Sequence, residues 1–357
     1  QVYLPVAKII RENNILDRFP NRTETDLYLW LSKHRGDLEE SLGWKLGPEI
    51  VAKDLVYSFA KDFHQTVARL TERILDIVTP DPLESGPPVG HWRKKYVETR
   101  EYQCLFENIL VPLDKDLDQW HALDQALILA QREGSNLRGL HVLPTNGSEE
   151  ESSIHLLQEA FTERCTQAGV SGELAVEEGG IARNICDRSH WADLVVSQLT
   201  HPPGDKPLAR LGSGFRTMVR RCPRPILAVP CQVTHLDRVL LAYTGSPKAE
   251  EALYIAAYMA AKWDIHLTVL TIEHESQSAL EIQAPARAYL EALNVQAEYC
   301  LQAAGPRAEI IIRTAKENQS EVILIGGYKA SPLVEVFLGS VVDQVLRMAK
   351  IPVLIGR

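Results

Sequence analysis

The sequence predicts an α/β protein in which two tandem parallel-sheet α/β sandwich domains are preceded by a helical module. Three observations carry that prediction. From Asn108 onward the chain repeats itself once. Within each copy, short apolar runs alternate with amphipathic stretches, the pattern of buried parallel strands and their crossover helices. A passage rich in proline and glycine, from Pro80 to Gly90, separates both copies from a start that shows helical periodicity alone.

The helical module is placed at residues 1–79. Leu27, Leu31, His34 and Leu38 recur near helical spacing there, and Val51, Leu55, Phe59 and Phe63 recur at every fourth residue. In the stretch from Phe19 to Leu31, Thr23 or Thr25 suits a helix cap and the aromatics suit a core. A linker at 80–107 follows, because its prolines and glycines end helices and favour extended chain.

The α/β domains are placed at 108–231 and 232–357. Asn108–Asp114 corresponds to Arg238–Thr244 as the first strand of each copy. Without a gap, Ala122-Leu123 then matches Ala252-Leu253, Ala130 matches Ala260, and Leu140-His141-Val142 matches Leu270-Thr271-Ile272. Farther on, Asp193–Val196 matches Glu321–Leu324, Gly212-Ser213 matches Gly339-Ser340, and Pro225–Val229 matches Pro352–Gly356 as the final strand. Such units wind right-handed, with helices on both faces of the sheet, and ligands bind beyond the carboxyl ends of the strands. The loops after Leu113, Val196, Tyr243 and Ile325 are therefore the places to look for chemistry.

Composition narrows the function classes. The formal net charge of -9 supplies no broad basic surface, which argues against sequence-independent nucleic-acid binding or attraction to an anionic membrane. No apolar run is long enough to span a bilayer, and the start, Gln1-Val2-Tyr3-Leu4-Pro5, lacks the basic and hydrophobic segments of a secretion signal. A soluble cytoplasmic protein is expected. The absence of an initiating Met fits a processed product or part of a longer protein. The six cysteines form no C-x-x-C pair, so they are expected as core residues or free thiols, without zinc or a disulfide framework.

The most informative passage runs from Ile325 through Gly326, Gly327, Lys329, Gly339 and Ser340 to Val342. A buried strand ends, a small-residue loop follows, and Gly339-Ser340 opens a helix. Glycine lets backbone N–H groups approach a phosphate, and a helix N-terminus stabilises the anion. The same residues have a structural use: Ser340 can cap the helix, with Asp343 completing a capping-box-like S-x-x-D. Likewise, in Ala242-Tyr243-Thr244-Gly245-Ser246-Pro247, Ser246 can cap the next helix with Pro247 in its first turn.

With these motifs the region from about Asn108 to Arg357 resembles the universal stress protein family, whose ATP-binding members carry G-x-x-G-x9-G-[ST] between the fourth strand and the last helix. Gly326, Gly339 and Ser340 fit that spacing, while Lys329 stands in place of the middle glycine. The resemblance implies ATP or AMP as ligand, with Mg2+ accompanying ATP, although the sequence shows no dedicated carboxylate cage for the metal. It implies that Gly326, Gly327, Lys329, Gly339 and Ser340 hold phosphates, that Val341 belongs to the same cofactor site, and that Tyr243 and Thr244 line the nucleoside side. Thr244 stands where ATP-binding members have an aspartate. The N-terminal copy departs in the opposite way. It keeps Asp114, but Gln198 takes the place of Gly326, and Pro202-Pro203 remove N–H donors from the loop. The resemblance also implies intramolecular pairing of the two repeats, with a homo-oligomer or a protein partner as further associations. Separately, the Phe19–Leu31 stretch looks like a helical segment of uncharacterised bacterial proteins that carry a ParB-like region; it assigns no activity.

Three readings follow. The first is a cytoplasmic stress-response or regulatory protein that binds an adenine nucleotide in its C-terminal repeat, with at most weak ATP hydrolysis. The second is a nucleotide-free interaction scaffold built on the internal pair. Enzyme catalysis has the least support, because His201, His235, His266 and His274 stand in no recognised pattern with a nucleophile.

Overall fold

The computed structural model describes residues 104–117, 120–143, 151–204, 213–274, 278–328 and 340–357. The expected helical module, most of the linker and the ParB-like stretch lie outside the described residues.

In the first repeat the described elements are β1 (Asn108–Leu113), α1 (His121–Glu133), β2 (Asn136–Leu143), α2 (Glu151–Gln167) and β3 (Gly172–Glu178). They continue with α3 (Ile181–Ser189), β4 (Leu194–Gln198), α4 (Gly214–Arg221) and β5 (Ile226–Val229). The second repeat has β6 (Arg238–Ala242), α5 (Pro247–Trp263), β7 (His266–Ile272), α6 (Ala279–Ala292) and β8 (Glu298–Gln302). It ends with α7 (Arg307–Glu317), β9 (Val322–Gly326), α8 (Val341–Met348) and β10 (Val353–Gly356).

The sheet order is β3-β2-β1-β4-β5-β10-β9-β6-β7-β8, a single sheet of ten strands. Each repeat contributes five parallel strands, and the repeats join edge to edge where β5 pairs antiparallel with β10. The fold class is the expected one. The matched segments occupy matched places: the final strands of both copies, expected from Pro225–Val229 and Pro352–Gly356, form the seam.

Burial explains why the central strands read as unbroken apolar runs. All four residues of β5 and of β10 are buried, as are the first four of β4 and of β9, because helices cover both faces. At the two sheet edges, β3 and β8 are only half-buried and carry Glu and Gln among their apolar residues. One face packs an apolar cluster from α1, α2, α5 and α6, including Leu123, Phe161, Ile255 and Leu290. The other packs α3 and α4 in one cluster and α7 and α8 in a second. Among the described residues the cysteines are free; Cys165, Cys186 and Cys222 are buried, and Cys231 is exposed. Burial pushes the Cys165 thiol up to about 11. No helix of the described residues is long and apolar enough to cross a membrane.

Candidate functional site

Strand register brings several of the expected site residues to one rim of the sheet. β6 lies beside β9 with Ala242 opposite Ile325, so Tyr243-Thr244 leave the sheet next to Gly326-Gly327. On the other side of β9, Gly356 stands opposite Gly326. The helix start at Ser340-Val341 joins this rim through Tyr328, whose hydroxyl donates to Asp343 Oδ1 at 2.5 Å. Lys329 and Gly339 lie outside the described residues.

The two glycines are tightly packed by the protein itself. A Cβ on Gly326 would meet the backbone N of Ala249 at 2.8 Å and the carbonyl carbon of Lys248 at 2.9 Å. A Cβ on Gly327 would meet the Gly356 carbonyl oxygen at 2.6 Å. Glycine is thus required here by the close approach of the first turn of α5 and the end of β10, whatever else the loop does.

The structural uses of the serines are realised. Ser246 accepts from the Ala249 N–H at 3.3 Å with Pro247 opening α5, and Thr244 shares a 3.1 Å hydrogen bond with the Ser246 hydroxyl. Ser340 accepts from the Asp343 N–H at 3.0 Å and caps α8. The reciprocal half of the capping box differs from the expectation: the Asp343 carboxylate turns to Tyr328, leaving the cap backbone. Tyr243 is buried, 2% exposed, while Thr244 is exposed. Burial, with Glu250 nearby, pushes the Tyr243 hydroxyl up to about 12. Desolvation and the Asp343 carboxylate raise Tyr328 well above the usual tyrosine range.

The corresponding rim of the first repeat is filled. Gln198, the counterpart of Gly326, accepts from the Ala122 N–H at 3.1 Å and donates to the Pro230 carbonyl at 2.8 Å, bridging the start of α1 and the end of β5. Asp114 accepts from the adjacent Lys115 N–H at 2.7 Å, and its backbone carbonyl accepts from the Trp120 indole at 2.7 Å. The prolines of the altered loop are also in use: the carbonyls of Pro203 and Gly204 accept from Arg347 Nη1 of the other repeat at 3.1 and 3.0 Å.

Sequence reasoning missed the buried polar contacts between repeats. Arg216 and Arg220 of α4 lie over the Tyr328 ring, 5.3 and 4.7 Å from its centroid. On the opposite face, Glu133 at the end of α1 accepts from the Leu105 N–H at 2.9 Å, the Tyr258 hydroxyl at 2.8 Å and the Trp263 indole at 2.6 Å. Gln125 exchanges two hydrogen bonds with the Thr234 backbone. The available signal was charge or amide at apolar helix positions, namely Gln125, Glu133 and Arg216. Among the described residues no cluster of His, Cys, Asp and Glu could hold a metal ion.

Two doubly wound halves of five parallel strands each, joined in one sheet, define the class: tandem α/β proteins. The universal stress protein family matches residues 105–230 and again 235–357, and the chain belongs to that family. Universal stress protein Slr1230 of Synechocystis sp. (strain PCC 6803) is 30% identical over 149 residues, 41% of this chain and 52% of that protein. The match therefore spans about half the length of this relative. The crystal structure of a universal stress protein from Archaeoglobus fulgidus DSM 4304 has a TM-score of 0.57 at 18% identity, covering 72% of this chain and 97% of that one. A functionally unknown protein, PA1789 from Pseudomonas aeruginosa PAO1, has a TM-score of 0.53 at 18% identity, with 70% and 92% covered. These two likenesses are of fold.

Proposed function

We propose that the chain is a stress-response or regulatory protein that binds an adenine nucleotide, ATP or AMP, at the rim of its C-terminal repeat, with at most weak hydrolysis. The observation that carries this reading is the convergence of three segments at one rim: Tyr243-Thr244 beside Gly326-Gly327 by strand register, and Ser340-Val341 joined to them through the Tyr328–Asp343 hydrogen bond. Helix geometry leaves the N–H groups of Val341 and Val342 without carbonyl partners inside α8, and Asp343 accepts a hydrogen bond from Tyr328. An anion at the cap meets N–H donors there. In this reading Gly326, Gly327, Lys329, Gly339, Ser340 and Val341 hold the phosphates. Thr244 offers a hydroxyl to the nucleoside, and buried Tyr243 supports that end from below. Mg2+ would arrive with ATP on the phosphates.

The second reading, a nucleotide-free scaffold, draws on a different observation. Gly326 and Gly327 are explained by internal backbone packing, and Thr244 is already bonded to Ser246. Calorimetric titration of the full chain with ATP and AMP, with and without Mg2+, separates the two. Nucleotide binding in the wild type, weakened roughly tenfold or more by Gly339→Val and only a few-fold by Ser340→Ala, is the expected outcome. Thermal melts of the same variants distinguish a ligand effect from general destabilisation. No binding by the wild type establishes the scaffold reading, and unchanged binding by Gly339→Val moves the site elsewhere.

A further inference from the structure

The seam between repeats is centred on two equivalent residues. Leu354 pairs with Leu227, flanked by Val353 opposite Ala228 and Ile355 opposite Ile226. Because Ile226-Leu227-Ala228 corresponds to Val353-Leu354-Ile355 in the repeat, the flanking pairs are images of one another. A pseudo-twofold axis therefore passes between the two leucines, and any residue close to it meets its own counterpart.

Two polar pairs do so, one on each face of the sheet. Arg216 and Asp343 hold the same place in eight-residue helices, each donating its backbone N–H to the capping serine, Ser213 at 3.2 Å and Ser340 at 3.0 Å. Their side chains meet with Nε 4.0 Å from Oδ2, at 4% and 0% exposure. On the other face, Glu133 and Trp263 are the last residues of α1 and α5, and the indole donates to the carboxylate at 2.6 Å.

Identical repeats across this axis would confront each residue with itself. Two first repeats would bring together buried Arg216 with Arg216 and Glu133 with Glu133; two second repeats would oppose Asp343 with Asp343 and Trp263 with Trp263. Buried like charges at such range strongly disfavour ionisation or association. Only the unlike pair converts both positions into complementary contacts.

We propose that the two axial pairs form a pairing code, in which the junction face of each repeat accepts a repeat of the other kind and rejects its own kind. The partner this surface fits is defined chemically: an acidic N3 residue opposite Arg216, and an indole donor opposite Glu133. Chains in a cell are thereby kept from joining first repeat to first repeat or second to second, through contacts that also discriminate. The inference is independent of whether a nucleotide binds.

Single substitutions in the full chain recreate the rejected arrangements. Arg216→Asp sets carboxylate against carboxylate, as two second repeats would; Asp343→Arg sets guanidinium against guanidinium, as two first repeats would. Each should lower Tm by roughly 10 °C, or prevent folded protein from accumulating. Combining them restores the opposite-charge contact in reverse and should recover at least half of the loss. Asp343→Asn keeps an acceptor for Tyr328 while removing the charge. It should lower Tm in the wild-type background and raise Tm, or the yield of folded protein, in the Arg216→Asp background. A combined variant no more stable than the worse single, or an Asn effect of the same sign in both backgrounds, overturns the proposal.

Discussion

The two repeats treat one gap, between the fourth strand and the first helix, in opposite ways. In the second repeat Gly326 leaves no room for a Cβ, and the strand end rests directly on the backbone of Lys248 and Ala249. In the first repeat Gln198 fills the corresponding place with an amide that bonds Ala122 and Pro230. Both solutions satisfy the local backbone, so the fold does not depend on a glycine loop. What differs is how the gap is closed: backbone against backbone in one repeat, an amide side chain in the other.

The largest effect expected from perturbing this comparison falls at the helix ends, where Glu133 of the first repeat stands against Trp263 of the second. Glu133→Ala takes the acceptor from the Tyr258 hydroxyl and the Trp263 indole and removes the carboxylate beside Lys262, while the Leu105 N–H keeps the Tyr258 oxygen. A loss of about 3–5 kcal/mol follows for a broken buried polar cluster. Chemical denaturation should show it as a lower midpoint; a change under about 1 kcal/mol would mean that water replaces the carboxylate.

A smaller effect tests the gap itself. Gly326→Ala drives a methyl into backbone that cannot rotate away, for about 2–3 kcal/mol, whereas Gln198→Ala removes two hydrogen bonds for about 1–2 kcal/mol. Measured by the same denaturation, the order should be Gly326→Ala more damaging than Gln198→Ala. The reverse order would remove the packing explanation for the glycine.

An effect confined to alkaline pH concerns tyrosines, which residues 105–230 lack altogether. In the second repeat Tyr243 is pushed up to about 12, and Tyr328 is raised well above 10. Their folded-state values exceed the unfolded ones, so the stability they contribute is complete below about pH 10 and is lost as pH rises through the folded values. Between pH 10 and 12, stability should fall by up to about 1.4 kcal/mol per pH unit for each such group, and Tyr243→Phe should make the fall shallower. An identical alkaline slope in that variant would assign the loss to other groups.

Much of the fold was legible in the sequence for a simple reason. Strands such as Asn108–Leu113 and Arg238–Ala242 are covered on both faces beyond their first residue, so they are apolar from there on, and their recurrence marked both halves of the sheet. The caps at Ser246 and Ser340 were readable because capping is local and depends on residues within one turn. The seam was not readable from local pattern, since nothing in Ile226–Val229 distinguishes pairing with β10 from a free edge. Asp343 reads in the sequence only as part of a cap, because its partners Tyr328 and Arg216 lie fifteen residues away and in the other repeat. Gln198 could be recognised as a departure, but its two bonds depend on where α1 begins and β5 ends.

The seam at Leu227 and Leu354 also has a mechanical consequence. Hydrogen bonds run without interruption from β3 to β8, so the repeats form one stiff plate with no hinge line between them. The strands of the two repeats point in opposite directions across the seam, which sets their rims on opposite edges of that plate. An event at the second rim cannot swing the first repeat open. It can only change the texture of its own edge, or press sideways through Tyr328 on the arginines of α4, a change of surface and not of posture.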